Sequence, residues 1–330
     1  MKHSPLPTAP FPPSLNPLAP LRPDQPTLLP LAPGEPLDLE QTFRCGQIFR
    51  WRRVGDTWFG PYGAGSMAVR AATGGVEVRA SGVAVTAAEA WAFLGLDLSL
   101  REVYRRLEGD PWVRAATTAL PGLRLVRQEP WECLATYICS QWNNIPKIEL
   151  STERIARACG TAQRWEDGVE VWAFPSPGVL AAQPAEGLAG CALGYRCAYL
   201  VETARQVAGG AIDLRAMRSA PYAGALRALL SLPGVGRKVA DCILLFSLDK
   251  PEACPVDVWV RRLIHELYPG PLSAYLPDAA ARSEKGLSAR EHAAILTFAW
   301  DRWGLLAGYA QQYLFHARRL RLIGPATEAP

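Results

Sequence analysis

Leu232-Pro-Gly-Val-Gly-Arg-Lys-Val-Ala-Asp-Cys242, followed at a distance by Pro255-Val-Asp257, is the stretch on which the reading of this chain turns. Apolar residues at three-to-four spacing flank it over 222–231 and 237–248, so Pro-Gly-Val-Gly joins two helices. Its glycines allow a tight turn with positive φ, and the second helix begins with its first N–H groups bare. Amides at such a turn, those around Gly234 and Gly236, grip a phosphate oxygen without reading any base. A plain helical corner accounts for the turn alone equally well. Arg237 and Lys238 open the second helix, so two cationic side chains stand at the end that would meet phosphate. Nineteen residues beyond Lys238, Asp257 directly precedes another apolar-periodic stretch and is an N-cap candidate. A cap also holds a carboxylate rigidly, with its charge favoured by the helix dipole. A lysine and an aspartate fixed on neighbouring helix starts can serve as nucleophile and electrostatic partner.

Helical periodicity extends outward from this segment. It covers 87–96, 100–107, 131–142, 147–159 and 196–208 before it, and 258–268, 289–304 and 307–319 after it. Between Leu37 and about Ala80 the period is two instead. Val76–Arg79 alternates, and Thr57–Gly60 and Ser66–Val69 look like neighbouring strands broken by glycine turns. The expected fold class is α+β: an N-terminal antiparallel β-sheet domain, then a two-lobed helical domain containing a helix-hairpin-helix motif. Residues 1–36 carry twelve prolines, so an extended, disordered tail is expected there. The β-rich domain with flanking helices then spans 37–120, the helical domain 121–323, and a short tail 324–330. No internal repeat is visible.

Bulk properties narrow the classes further. A net charge of +4 on 330 residues permits nucleic-acid binding through a local basic face without demanding it. No apolar run reaches the ~20 residues of a membrane helix. The N-terminus lacks the basic start and apolar block of a secretory signal, so a cytoplasmic or nucleoid location is expected in a bacterium, a nuclear one in a eukaryote. The eight cysteines form no CxxC pair, and with four scattered histidines give no zinc spacing. Most read as small buried hydrophobes.

The hairpin with its lysine and the spaced aspartate resembles the helix-hairpin-helix–Gly/Pro–Asp superfamily of DNA glycosylases, and within it the 8-oxoguanine DNA glycosylase/lyases. Cys45-Gly-Gln-Ile-Phe-Arg-Trp51 is similar to that family's N-terminal lesion-contact motif, and Leu193-Gly-Tyr-Arg196 and Gln312-Tyr-Leu-Phe315 also correspond. The resemblance runs from about Leu37 to Ile323. It implies excision of 8-oxoguanine and related oxidised purines from double-stranded DNA by base flipping, with AP lyase activity, by a monomer. Lys238 would be the nucleophile and Asp257 its partner. The Gly46 carbonyl would meet the hydrogen that 8-oxoguanine carries at N7, where guanine has an acceptor. Phe315 and Cys242 would sandwich the base and Gln311 would bond to its Watson–Crick edge. Tyr195 would wedge into the stack, while Arg196 and Lys147 would face the orphaned cytosine. Gly234, Gly236, Arg237, Asn143, Asn144 and Trp259 would also lie against DNA. No cofactor is implied beyond a monovalent cation at the hairpin.

Three positions depart from the family pattern. Trp142 stands where an asparagine fills the vacated space, Lys147 replaces an arginine, and Trp259 replaces a histidine near the lesion phosphate. Strict preference for cytosine opposite the lesion is therefore not expected. The alternatives are a monofunctional or broader-range glycosylase of this fold and a non-catalytic helix-hairpin-helix module. Alkylpurine enzymes lack the hairpin lysine. Cys254 is the last cysteine, so the C-terminal iron–sulfur cluster of thymine-glycol enzymes is not expected either.

Overall fold

Short strands, several separated by glycine turns, build a five-stranded antiparallel sheet in the order β1-β5-β4-β3-β2, in a computed structural model that describes residues 6–277 and 287–324. The strands are β1 (Thr27–Pro30), β2 (Arg52–Val54), β3 (Thr57–Tyr62), β4 (Gly65–Ala72) and β5 (Gly75–Ser81). The three expected strands lie inside β3, β4 and β5. β4 is buried on both faces, because the sheet is covered on both. Met67 and Val69 join a core with Trp51, Trp58, Phe93 and Leu94. Ala68 points the other way, into a small cluster with Phe59, Trp165 and Val171. That second cover is a hairpin, β6 (Thr161–Arg164) and β7 (Glu170–Ala173), pinned by Trp165 Nε1 donating to Ser66 Oγ at 3.1 Å.

Residues 6–36 are not the expected extended tail. Thr27–Pro30 pairs with β5 as an edge strand, Leu21 and Leu29 are buried, and isolated bridges tie Thr8 to Leu98 and Pro20 to Thr86. Proline cannot donate to a ladder, but an edge strand needs only one bonded side, and Pro30 sits at its end. Glu35 then meets the buried Arg124 guanidinium at 3.1 Å and bonds Ser99 and Leu100 at a helix start. Residues 1–5 and 325–330 lie outside the described part.

The ten expected helices are all present, most within three residues of the expected ends. The expected boundary at residue 120 shifts. Helices Leu100–Leu107 and Pro111–Ala119 bury Val103, Leu107 and Val113 in the large helical core with Leu134, Leu244 and Leu314, while the sheet core takes in residues up to Leu96 and then Val126 from beyond these helices. Short helices Leu39–Arg44, Pro177–Ala181 and Pro269–Ser273 add to the list. Among the described residues no helix is long and apolar enough to cross a membrane.

Candidate active site and nucleic-acid interface

The helix-hairpin-helix consists of Tyr222–Leu230, a turn, and Arg237–Ser247. Gly234 has φ +74, and a Cβ there would stand 2.7 Å from the Tyr199 ring, so both conformation and space require glycine. Gly236 caps the second helix with no side-chain hydrogen bond, which leaves the first amides of that helix open. The turn is fastened from behind. Gln141 Nε2 donates to the Gly234 carbonyl at 2.7 Å and Thr203 Oγ1 to that of Pro233 at 3.2 Å.

Lys238 and Asp257 line one cavity of about 1680 Å³ with Gly46, Cys242, Gln311 and Phe315. Asp257 is the N-cap of helix Val258–Leu267. Its Oδ1 accepts from the Trp259 and Val260 amides, each at 2.9 Å, leaving Oδ2 for the cavity. Lys238, the second residue of the hairpin helix, carries its ammonium 5.3 Å from the centroid of the Tyr137 ring. No ion pair joins it to Asp257 among the described residues, so neither charge is spent on the other. Burial pushes the Cys242 thiol up to about 12, against the pull of Lys238, so Cys242 remains a neutral thiol.

Gly46 has φ +88 and faces the same space. A Cβ there would come within 3.4–3.6 Å of Arg319, Ile145 and Phe315. Its neighbours are fixed: Gln312 Nε2 donates to the Cys45 carbonyl at 2.8 Å, and Gln47 is held between Thr42, Arg124 and Val126. Gln311 is 5 % exposed, and its Oε1 has no hydrogen-bond partner among the described residues. A buried carbonyl oxygen left unpaired costs about 1–3 kcal/mol, which a ligand's N–H donor would recover.

Three aromatic side chains are exposed, one of them, Trp259, on the cavity wall. Trp142 is 92 % exposed with φ +51, Tyr195 is 52 % and Trp259 63 %. Asn144 caps helix Ile145–Cys159, Asn143 bonds the Cys139 carbonyl, and Lys147 is exposed on that helix's first turn. Arg262 stacks on Trp259 at 5.6 Å.

Two expected DNA-facing guanidiniums turn inward. Arg196 is 7 % exposed and donates to the carbonyls of Gln141 and Leu193, with Nε to Gln141 at 2.7 Å. It clamps together the loops that carry Trp142 and Tyr195 instead of presenting a free fork. Arg237 bonds the buried Asp241 at 2.8 Å and the Tyr222 hydroxyl, because an aspartate four residues along a helix needs a partner once it is buried. Arg261, another basic group near the site, is likewise paired with Glu291 at 2.6 Å.

Sequence reasoning missed Phe49, Ile145 and Arg319 on the cavity wall. The spacing Gln311–Phe315–Arg319, four residues at a time, would have placed the last of these on the same helix face.

A lysine at the start of the hairpin helix, a helix-capping aspartate on the wall of the same large cavity, and a hairpin whose second helix has no side-chain cap are the parts of a helix-hairpin-helix DNA glycosylase. The model of the N-terminal domain of 8-oxoguanine DNA glycosylase matches residues 29–134. The chain is 32% identical over 292 residues to an N-glycosylase/DNA lyase of Arabidopsis thaliana, covering 85% of this chain and 77% of that one. It is 30% identical over 248 residues to an N-glycosylase/DNA lyase of Saccharomyces cerevisiae, covering 68% and 64%. A solved 8-oxoguanine glycosylase/lyase of Clostridium acetobutylicum, bound to double-stranded DNA with cytosine opposite 8-oxoguanine, superposes with a TM-score of 0.74 at 29% identity over 87% of this chain and 93% of that one. This chain belongs to the 8-oxoguanine DNA glycosylase family of N-glycosylase/DNA lyases.

Proposed function

We propose that this protein removes 8-oxoguanine and related oxidised purines from double-stranded DNA and then cleaves the strand, with Lys238 as nucleophile. The observation that carries the reading is the single cavity shared by Lys238, Asp257, Gly46, Cys242, Gln311 and Phe315. Taking a damaged nucleotide out of the stack costs a few kcal/mol, and the exposed Tyr195 and Trp142 are the aromatic side chains proposed to fill the gap. In the cavity, Gly46 supports discrimination through a backbone carbonyl that attracts the N7 hydrogen of the oxidised base and repels the N7 lone pair of guanine. Gln311, with its unpaired Oε1, has an acceptor ready for an N–H of the base's Watson–Crick edge.

In its neutral form, Lys238 Nζ bonds to C1′ while the bond to N9 breaks and its electron pair leaves with the base. The Asp257 carboxylate stabilises the positive charge that develops on the sugar. Opening of the sugar gives a Schiff base. Loss of a C2′ proton then expels the 3′ phosphate, and hydrolysis frees the lysine. Every step uses side chains of this chain and water.

Opposite-base selection is expected to be loose. The Arg196 donors are committed to carbonyls, Lys147 is a point charge on a flexible stem, and Trp142 stacks on any base. The test is incubation with duplex containing one 8-oxoguanine, followed by separate detection of released base and nicked strand. Release of both supports the reading. Release of base without a nick would make the enzyme monofunctional, and binding without release would leave only a DNA-binding module.

A further inference from the structure

Arg319 ends the helix Ala307–Arg319 on the face that carries Gln311 and Phe315, and like them it lines the cavity. Its charge has no carboxylate partner among the described residues. Its orientation is nevertheless fixed by a chain of hydrogen bonds. The Gln41 Oε1 lies 2.8 Å from His316 Nε2, and as Oε1 only accepts, the proton is on Nε2. His316 Nδ1 is then an acceptor, and Arg319 Nη2 donates to it at 3.0 Å and also to the Arg44 carbonyl. Burial lowers the His316 pKa to about 4, in keeping with the neutral ring this chain requires. Both hydrogens of Nη2 are thus used. Nη1 is the atom turned toward Gly46, 3.4 Å from where a Cβ on that residue would be. The Phe315 ring is beside it, 5.8 Å from the guanidinium carbon.

We propose that Arg319 is a further lesion-specificity residue, donating from Nη1 to the C8 carbonyl oxygen of the extruded purine. The inference rests on the function proposed above. Oxidation at C8 turns that side of a purine into a lactam, with N7–H as donor and C8=O as acceptor on adjacent atoms. A carbonyl at Gly46 answers the donor, and a guanidinium N–H next to it answers the acceptor. Guanine offers the reverse at N7 and nothing at C8, so both contacts discriminate. Because a lactam edge is common to 8-oxopurines, the substrate class read by this wall is 8-oxopurines, with the Watson–Crick edge left to Gln311. The helix spacing of 311, 315 and 319 brings edge reader, stacking ring and lactam donor onto one element.

The experiment compares wild type with Arg319→Leu in single-turnover excision of 8-oxoguanine and, separately, in borohydride trapping and strand cleavage on duplex with a preformed abasic site. An abasic site has no base, so a base contact cannot matter there. Excision is expected to fall roughly ten- to hundredfold, the worth of one charge-assisted hydrogen bond, with cleavage of the abasic site unchanged. Unaltered excision overturns the proposal. An equal fall in both reactions, together with a weaker salt dependence of binding to undamaged duplex, also overturns it, because that pattern belongs to a phosphate contact. Should Arg319→Leu not fold, Arg319→Gln, which keeps a donor for the Arg44 carbonyl, carries the same comparison. A wild-type enzyme that cleaved abasic DNA but released no 8-oxoguanine would refute the function itself, an outcome distinct from either result on the variants.

Discussion

Asp257 does two things at once, and a pair of substitutions separates them. As an N-cap, its Oδ1 accepts from two helix amides at 2.9 Å. Removing such a cap costs about 1 kcal/mol, whereas asparagine caps about as well as aspartate. As an electrostatic partner in a cavity, its negative charge is worth more: deleting one well-placed stabilising group costs ~10²–10³ in rate, about 3–4 kcal/mol. Asp257→Asn is therefore expected to melt within a degree or so of wild type and to excise the base ~10²–10³ times more slowly. Asp257→Ala should lose the same rate and also about 1 kcal/mol of stability, seen as a drop of roughly 2 °C for a chain of this size. Single-turnover excision at saturating enzyme gives the rate without product release, and calorimetry gives the melting temperature. An Asp257→Asn protein within threefold of the wild-type rate would reduce the residue to a cap and refute the reasoning.

Other outcomes follow from the same geometry. Excision opposite thymine or guanine should be appreciable, and Lys147→Arg or Trp142→Asn should sharpen the preference for cytosine by roughly 1–3 kcal/mol, the worth of one bidentate contact. Strict cytosine dependence in the wild type, measured against each of the four opposing bases, would contradict this. Deleting residues 1–36 should destabilise the protein by several kcal/mol, since it strips β1, buried Leu21 and Leu29, and Glu35, the carboxylate that meets Arg124. An unshifted melting curve would show that the segment is a mere strap. Burial holds the His292 and His316 pKa values down to about 4, below the ~6.5 of an unfolded chain. The unfolded state takes up protons first, so these two groups cost no stability above about pH 6.5 and progressively lower it down to about pH 4. His292→Leu should flatten that slope in denaturant midpoints, and an unchanged slope would exclude His292 as a source.

The parts of this protein that were legible in its sequence are those with a short-range cause. Asp257 was readable as a cap because capping is decided within three residues, and the helix ends nearby followed from apolar spacing. Gly234 was readable because a turn with positive φ admits little else. The N-terminal segment was misread for the opposite reason. Thr27–Pro30 becomes a strand only because β5, about fifty residues later, offers an edge, and no local pattern announces that. Arg196 and Arg237 have the same lesson on the side of charge. Their direction is set by carbonyls of Gln141 and Leu193 and by the carboxylate of Asp241, so a basic residue at the right place in a motif did not guarantee a guanidinium facing DNA. Arg319 lies at the other extreme, since only a helix face shared with Gln311 and Phe315 hints at it, and its fixed orientation depends on Gln41 and Arg44 from the opposite end of the chain.

In the proposed reaction the amine of Lys238 becomes covalently bound to the sugar from which the base departs. The most direct measurement is borohydride reduction during reaction with 8-oxoguanine duplex, followed by proteolysis and mass mapping of the cross-linked peptide. A single sugar-modified site at Lys238 within Val235–Cys242 is expected, and no cross-link at all in Lys238→Gln despite retained binding of the lesion duplex. A cross-link of normal yield in Lys238→Gln, or one mapped to a different amine in the wild type, would contradict it.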